Sequence, residues 1–202
     1  MKIIIAKKNI SKNYEENFKT IQNCYNEALK KDADLLVFGE CFFTGYPLEE
    51  KYLDEIYINK VLESLEDIVD FTKMNKTSIL LGCPYFIPSY IKDGIKKSKV
   101  MYDSMVLIKG GYIEDFVHRK DISRENSFND LRYFDKGSVL NGFQLCDLNF
   151  FTIINDDIRE NKNILLLQDK DCDFIMCFDS FLNGQSMENQ IKKISQFVKK
   201  PI

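Results

Sequence analysis

The chain has 202 residues, of which 45% are hydrophobic and 29% charged, with a formal net charge of −3. That length suits one domain with a sizeable core. The negative balance argues against a general nucleic-acid binder, and no apolar run is long enough to cross a bilayer, so neither nucleic acid nor membrane is an expected partner. The opening MKIIIAKKN has no small-residue cleavage site after its short apolar stretch, so it does not read as a signal peptide and a cytoplasmic location is expected.

Residues 2–6, KIIIA, predict a short buried strand. Asn13 to Lys30 predicts an amphipathic helix, because Phe18, Ile21, Tyr25, Ala28 and Leu29 recur at spacings of three and four. Asn13 followed by Glu16 has the form of a capping pair. Asp34 to Phe38 predicts a second buried strand. Ile58 to Lys73 predicts a helix with Val61, Leu62, Leu65, Ile68 and Val69 on one face. Ser78 to Gly82 predicts a third strand. VMYDSMVLIKGGYIEDFVH alternates on both sides of Gly110-Gly111 and predicts a hairpin. Residues 143–148 and 150–154 predict two more strands, Asn163 to Lys170 a short helix, Asp173 to Phe178 a strand, and Glu188 to Lys199 a closing helix.

One pattern recurs. ALKKDADLLVFGE and LLQDKDCDFIMCFDS both run helix, Asp, buried strand and polar break. Two similar halves packed face to face follow, as mixed sheets in a layered α/β sandwich.

The six cysteines, Cys24, Cys41, Cys83, Cys146, Cys172 and Cys177, form no C-x-x-C pair. Most lie in apolar runs, where a reduced cysteine acts as a small hydrophobe, so five or six are expected in the core. DKDCDFIMCFDS opens like a calcium loop with Asp169, Asp171 and Asp173. It has Phe174 where glycine is needed and Ser180 where glutamate is needed, so no metal is expected. No Gly-rich phosphate loop is present, and no cofactor is expected.

Glu40 closes a buried strand among Phe38, Phe42 and Phe43. A carboxylate in such surroundings has a raised pKa and suits a general base, although composition alone favours a strand-end carboxylate facing solvent. VHRKDISRENSFNDLRYF carries Arg119, Lys120, Arg124 and Arg132, which read from composition alone as a solvated basic loop. His118, the sole histidine, has no assigned role. FFTIINDD runs from an apolar strand into Asn155, Asp156 and Asp157.

Together these segments resemble the nitrilase, or carbon–nitrogen hydrolase, superfamily. That family reads F-P-E at one strand end, Y-R-K before a loop, and a cysteine closing a third strand. The matching residues are Phe38-Gly39-Glu40, His118-Arg119-Lys120 and Ile154-Asn155. Within the superfamily the chain is most similar to the glutaminase domain of glutamine-dependent NAD synthetases, through GECFFTGYPLEE, YDSMVL, RKDISRENSFNDLRYFDKGS and INDD. The resemblance implies a four-layer α-β-β-α sandwich over residues 1–202, with glutamine or a related amide as ancestral ligand. It implies Glu40 as base, Lys120 and the backbone N–H of Asp156 as oxyanion support, and Tyr46, Phe128, Asp130 and Ser180 around the glutamine. A lysine in that role is expected to pair with Glu40. Asn155 falls at the nucleophile position, and a carboxamide is not a useful nucleophile. Cys41 follows Glu40, but consecutive strand residues point to opposite faces, so it is a poor substitute.

Further departures are Gly39 for proline, Asp130 for glutamate, and Phe181 for proline. The family continues with another strand where this chain reads KKPI, so the sandwich is expected to be incomplete at its C-terminal edge, with the synthetase domain absent. An open edge of that kind leads to an expected homo-oligomer or a synthetase-domain partner. The function expected is a degenerate, inactive glutamine amidohydrolase domain. The alternatives are a non-catalytic binding or regulatory subunit, and an active hydrolase with a relocated nucleophile.

Overall fold

A computed structural model describes residues 1–92, 95–97, 99–123, 129–179 and 184–202. In chain order the elements are β1 (Ile3–Ile5), α1 (Tyr14–Lys30), β2 (Leu35–Val37), α2 (Glu55–Phe71), β3 (Ser78–Gly82), β4 (Tyr85–Ile87), β5 (Tyr90–Lys92) and β6 (Ile95–Lys97). There follow β7 (Val100–Tyr102), β8 (Ser104–Lys109), β9 (Tyr112–His118), β10 (Gly142–Leu145), β11 (Leu148–Ile154), α3 (Asn161–Gln168), β12 (Phe174–Phe178) and α4 (Gly184–Val198). Short 3-10 turns cover Glu49–Leu53, Asp130–Arg132 and Asn155–Arg159.

Two sheets carry the fold. One has five strands in the order β1-β2-β3-β8-β9, and the other three in the order β10-β11-β12. Both are mixed. β1, β2 and β3 run parallel while β8 and β9 are antiparallel; β10 is antiparallel to β11, and β12 parallel to it. Period-two alternation sorts the apolar side chains into layers. Leu36, Ile79, Leu81 and Val106 face outward onto Ile21, Tyr25 and Ala28 of α1 and Val61, Leu65 and Ile68 of α2. Their neighbours Leu35, Val37, Leu80, Met105 and Leu107 face inward and meet Phe143, Phe150, Ile154 and Phe178 of the other sheet. Ile153 and Ile175 face the opposite way, onto Ile164 and Leu167 of α3 and Ile194 and Val198 of α4. The expected α-β-β-α order is therefore present, and the two helix–Asp–strand repeats lie in opposite sheets.

Local chemistry explains where element boundaries differ from the sequence expectation. α2 begins three residues early because the Asp54 carboxylate caps it, accepting from the N–H groups of Ile56 and Tyr57. Asn13 caps α1 by accepting from Glu15 N–H, while Glu16 instead accepts from the Ser11 hydroxyl, so the reciprocal box is not closed. The break between β10 and β11 falls at Cys146-Asp147 rather than at Asn149. Both residues have positive φ, 50° and 62°, as a two-residue hairpin turn of the primed type requires. Cys146 is accordingly exposed; Cys24, Cys41 and Cys83 are buried and Cys172 and Cys177 intermediate, so fewer cysteines than expected are in the core. Two small sheets, β4-β7 and β5-β6, were not foreseen.

β1 and β12 are the edges of their sheets on one flank, where Ile175 N–H donates to Pro201 C=O at 2.8 Å. A cavity of about 600 Å3 opens there, walled by Ile3, Val37, Phe174, Met176 and Ile202 and reaching Glu40. No described helix is long and apolar enough to cross a membrane.

Gly82, the last residue of β3, supports the turn that carries Glu40. A Cβ at Gly82 would lie 2.0 Å from the Gly39 carbonyl oxygen and 2.5 Å from the Cys41 nitrogen, whereas a Cβ at Gly39 would meet nothing within 4 Å. Gly82→Ala is expected to cost roughly 2–3 kcal/mol in urea unfolding, because backbone rather than a flexible side chain must move. Gly39→Ala should stay within about 0.5 kcal/mol of the parent.

Candidate active site

Five segments end at the same edge of the sandwich. Glu40 follows β2, Asp103 links β7 to β8, Arg119 follows β9, Asp130 opens a 3-10 turn, and Asn155 and Asp156 follow β11. All six residues are buried. Their side chains are polar because they meet one another where the sheets' apolar alternation ends.

Arg119 is the hub, with its side chain wholly enclosed. Its Nη1 lies 2.7 Å from Asp130, 3.4 Å from Asp103 and 3.6 Å from Glu40, and its Nη2 donates to Asp156. Nε donates to the Asp121 carbonyl at 3.2 Å. Burial opposes the guanidinium charge, but Asp103, Glu40 and Asp130 more than offset it, and the Arg119 pKa is raised. Asp130 also accepts from the Tyr46 hydroxyl at 2.9 Å, and the same carboxylate group of Asp156 that meets Arg119 is met by Arg159 at 2.8 Å.

Asn155 faces Glu40. Its Nδ2 donates to both carboxylate oxygens, at 2.9 Å and 3.2 Å. Its φ is 51°, a left-handed conformation that asparagine tolerates better than most residues. The backbone thus turns sharply at the end of β11 and aims the side chain along the edge of the sandwich.

Lys120 does not make the expected pair with Glu40. Its Nζ donates to Asn163 Oδ1 on α3 at 2.8 Å, and the described cation against Glu40 is Arg119. Asn163 is held from its other end, where Nδ2 donates to Asp121 Oδ2 at 3.0 Å and to the Asp157 carbonyl at 3.1 Å. Of the residues expected around an amide ligand, Tyr46 and Asp130 bond to each other, and Asp130 closes on Arg119. Phe128 and Ser180 lie outside the described residues, as does Arg124. Arg132 pairs on the surface with Glu50 at 2.8 Å.

Two thiols lie near Glu40. Cys41 Sγ donates to Asp103 at 3.4 Å, and burial, then Asp103 and Glu40, push its pKa well up. Strand alternation is not what sets its direction, since β2 ends at Val37 and Cys41 sits in a turn with φ 48°. Burial, then Asp179 and Glu40, push Cys177 up to about 12. Both thiols are therefore held protonated near neutral pH.

Asp157 ties the loop after β9 to the turn after β11. It accepts from the N–H groups of Lys120, Asp121 and Ile154. Sequence reasoning gave no part to Asp103, Asp157 or Asn163. Asp103 sits inside the YDSMVL match, which is the only signal that pointed at it.

The carbon–nitrogen hydrolase family model matches residues 6–193, and the chain belongs to that family. It is similar to a glutamine-dependent NAD(+) synthetase of Thermotoga maritima, 25% identical over 145 residues that make up 72% of this chain and 23% of that protein. A second, from Acinetobacter baylyi, is 23% identical over 72% of this chain and 25% of that protein. The chain thus spans about a quarter of the length of these relatives. Among solved structures, the glutamine-dependent NAD+ synthetase of Acinetobacter baumannii in complex with ADP superposes with a TM-score of 0.76 at 20% identity, over 96% of this chain and 35% of that one. A variant of the amidase from Nesterenkonia, with acrylamide added at its active-site cysteine, superposes with a TM-score of 0.70 at 10% identity, over 93% of this chain and 70% of that one. These likenesses establish the fold.

Two outcomes follow from the geometry. Arg119→Met leaves several buried carboxylates without their cation, so it should lower stability by about 3–5 kcal/mol or abolish folding, read by chemical denaturation. Burial pushes Asp157 up to about 7, against a usual value near 3.8. An acid whose folded-state pKa is raised lends stability that is complete below about pH 4 and lost as pH rises through 7. The unfolding free energy of the parent relative to Asp157→Asn should therefore fall between pH 4 and 7, by at most ~4 kcal/mol. A difference that stays flat over that range would refute this assignment.

Proposed function

We propose that this chain is a glutaminase-type carbon–nitrogen hydrolase domain whose site no longer carries a nucleophile, and that it serves as a non-catalytic component associated with NAD synthesis. The observation that carries this reading is the Asn155 carboxamide bonded through Nδ2 to both oxygens of Glu40. An acyl-transfer site needs a nucleophile within reach of its base. Here the group facing the candidate base has no labile proton near neutral pH and a weakly nucleophilic nitrogen. The Nesterenkonia amidase named above has an active-site cysteine; Asn155 is read as standing at the equivalent place. Cys41 and Cys177, held protonated, make a relocated thiol the weaker alternative.

A binding role has its own support. The cavity of about 600 Å3 beside Glu40 is large enough for a small amide, and its walls are mostly apolar. Glutamine is the ligand that the NAD synthetase relatives suggest by name. A synthetase domain, or a second copy of this chain, is the assembly that reading favours.

The test is ammonia release from glutamine, followed by a coupled dehydrogenase assay. The parent protein should match the buffer blank. Ammonia production that stops on thiol alkylation would contradict the reading and point to a relocated cysteine. Asn155→Cys should also stay near the blank, because Arg119 and Asp130 are locked to each other and Lys120 is held away on α3.

A further inference from the structure

Two cations leave β9 side by side and take different partners. Val117 packs into the layer between the sheets. Two residues on, Arg119 continues that inward register and is wholly enclosed, touching Glu40, Asp103, Asp130 and Asp156. The Lys120 Nζ instead donates to Asn163 Oδ1 on α3, at 2.8 Å. Both ends of the Asn163 amide are used, one by Lys120 and the other by Asp121 and the Asp157 carbonyl. Asn163 is itself fully buried in the first turn of α3. This is a built tie between the loop after β9 and a helix of the second sheet. It leaves the Lys120 ammonium bonded to an amide, whereas the Arg119 guanidinium lies 3.6 Å from Glu40.

We infer that Arg119, and not Lys120, is the charge partner of the Glu40–Asn155 pair, and that Lys120 with Asn163 is a structural tie. The inference rests on the reading that residue 155 faces Glu40 at the centre of the site. It changes what the site can do. A guanidinium stays charged throughout the accessible pH range and spreads its donors in a fixed plane, here over several carboxylates. It supports a neighbouring anion as a fixed charge and does not deliver a proton. A lysine ammonium in the same place would be a compact, mobile donor that titrates when buried. Arg119 therefore acts on residue 155 only through Glu40 and through its field, as a positioning residue.

A thiol placed at residue 155 reports on this directly. Asn155→Cys is made in the full chain, alone and combined with Lys120→Met, Arg119→Lys or Glu40→Gln. Iodoacetamide alkylation of the peptide bearing residue 155 is followed by mass spectrometry from pH 6 to 10, with circular dichroism confirming each fold. Lys120→Met should leave the pH of half-maximal alkylation within about 0.2 of the single variant. Arg119→Lys should move it by more than about 0.5, because the shorter ammonium cannot span the same carboxylates. Glu40→Gln should move it as well. A shift with Lys120→Met and none with Arg119→Lys would overturn the inference while leaving residue 155 against Glu40. Insensitivity to Glu40→Gln would remove residue 155 from Glu40 and sink the functional reading together with the inference.

Discussion

The guanidinium of Arg119 lies inside the protein with the carboxylates of Glu40, Asp103, Asp130 and Asp156 around it. Each comes from a different connection, so one cation joins the ends of the two sheets and the loops between them. Burying a charge of this kind costs several kcal/mol per ion before any pairing, and only close geometry with further hydrogen bonds offsets that. The bonds are present: Tyr46 on Asp130, Ser123 N–H and Arg159 on Asp156, Cys41 on Asp103, and Asn155 on Glu40. A path of polar contacts thus runs from half-buried Tyr46 through Asp130, Arg119 and Glu40 to Asn155.

In the proposed reading that arrangement, which supports the fold, also restricts function. Groups that a working hydrolase would offer to a substrate are here satisfied by each other. The Asn155 carboxamide occupies both oxygens of Glu40, Asp130 is shared by Arg119 and Tyr46, and Lys120 is spent on Asn163. In the proposed reading the loss of a nucleophile and the closing of this network belong together. Among the described residues, the apolar cavity along β12 reaches Glu40, bounded by Val37, Met176 and Ile202.

Much of the fold was legible in the sequence because alternation and helical spacing are strong along the core elements. The Leu35–Val37 and Leu36–Phe38 sets fall on opposite faces as period two requires, and the helix–Asp–strand repeat correctly separates the two sheets. What was missed depends on chemistry without such a period. Asp54 starts α2 earlier than its apolar stripe does, and Cys146-Asp147 makes a primed turn without the glycine or asparagine that usually announces one. Glu40 and Asn155 were singled out because each follows an apolar strand, and the structure brings the two together. Arg119 was read as part of a solvated basic loop and its neighbour was given its place. The register from Val117 held the answer, since two residues along a strand return to the same face. Asp103 and Asn163 carry no local signal, because their roles exist only once distant segments meet.

The central claim of the proposed reading is that neither Asn155 nor the protonated thiols near Glu40 serve as a nucleophile. The most direct test is to incubate the parent protein with a diazoketone analogue of glutamine, which alkylates nucleophiles in sites that accept the amino acid, and to measure intact mass. The account predicts an unmodified chain at every time point. A single adduct mapped to Cys41, Cys177 or Asn155 would contradict it and restore the site to catalysis.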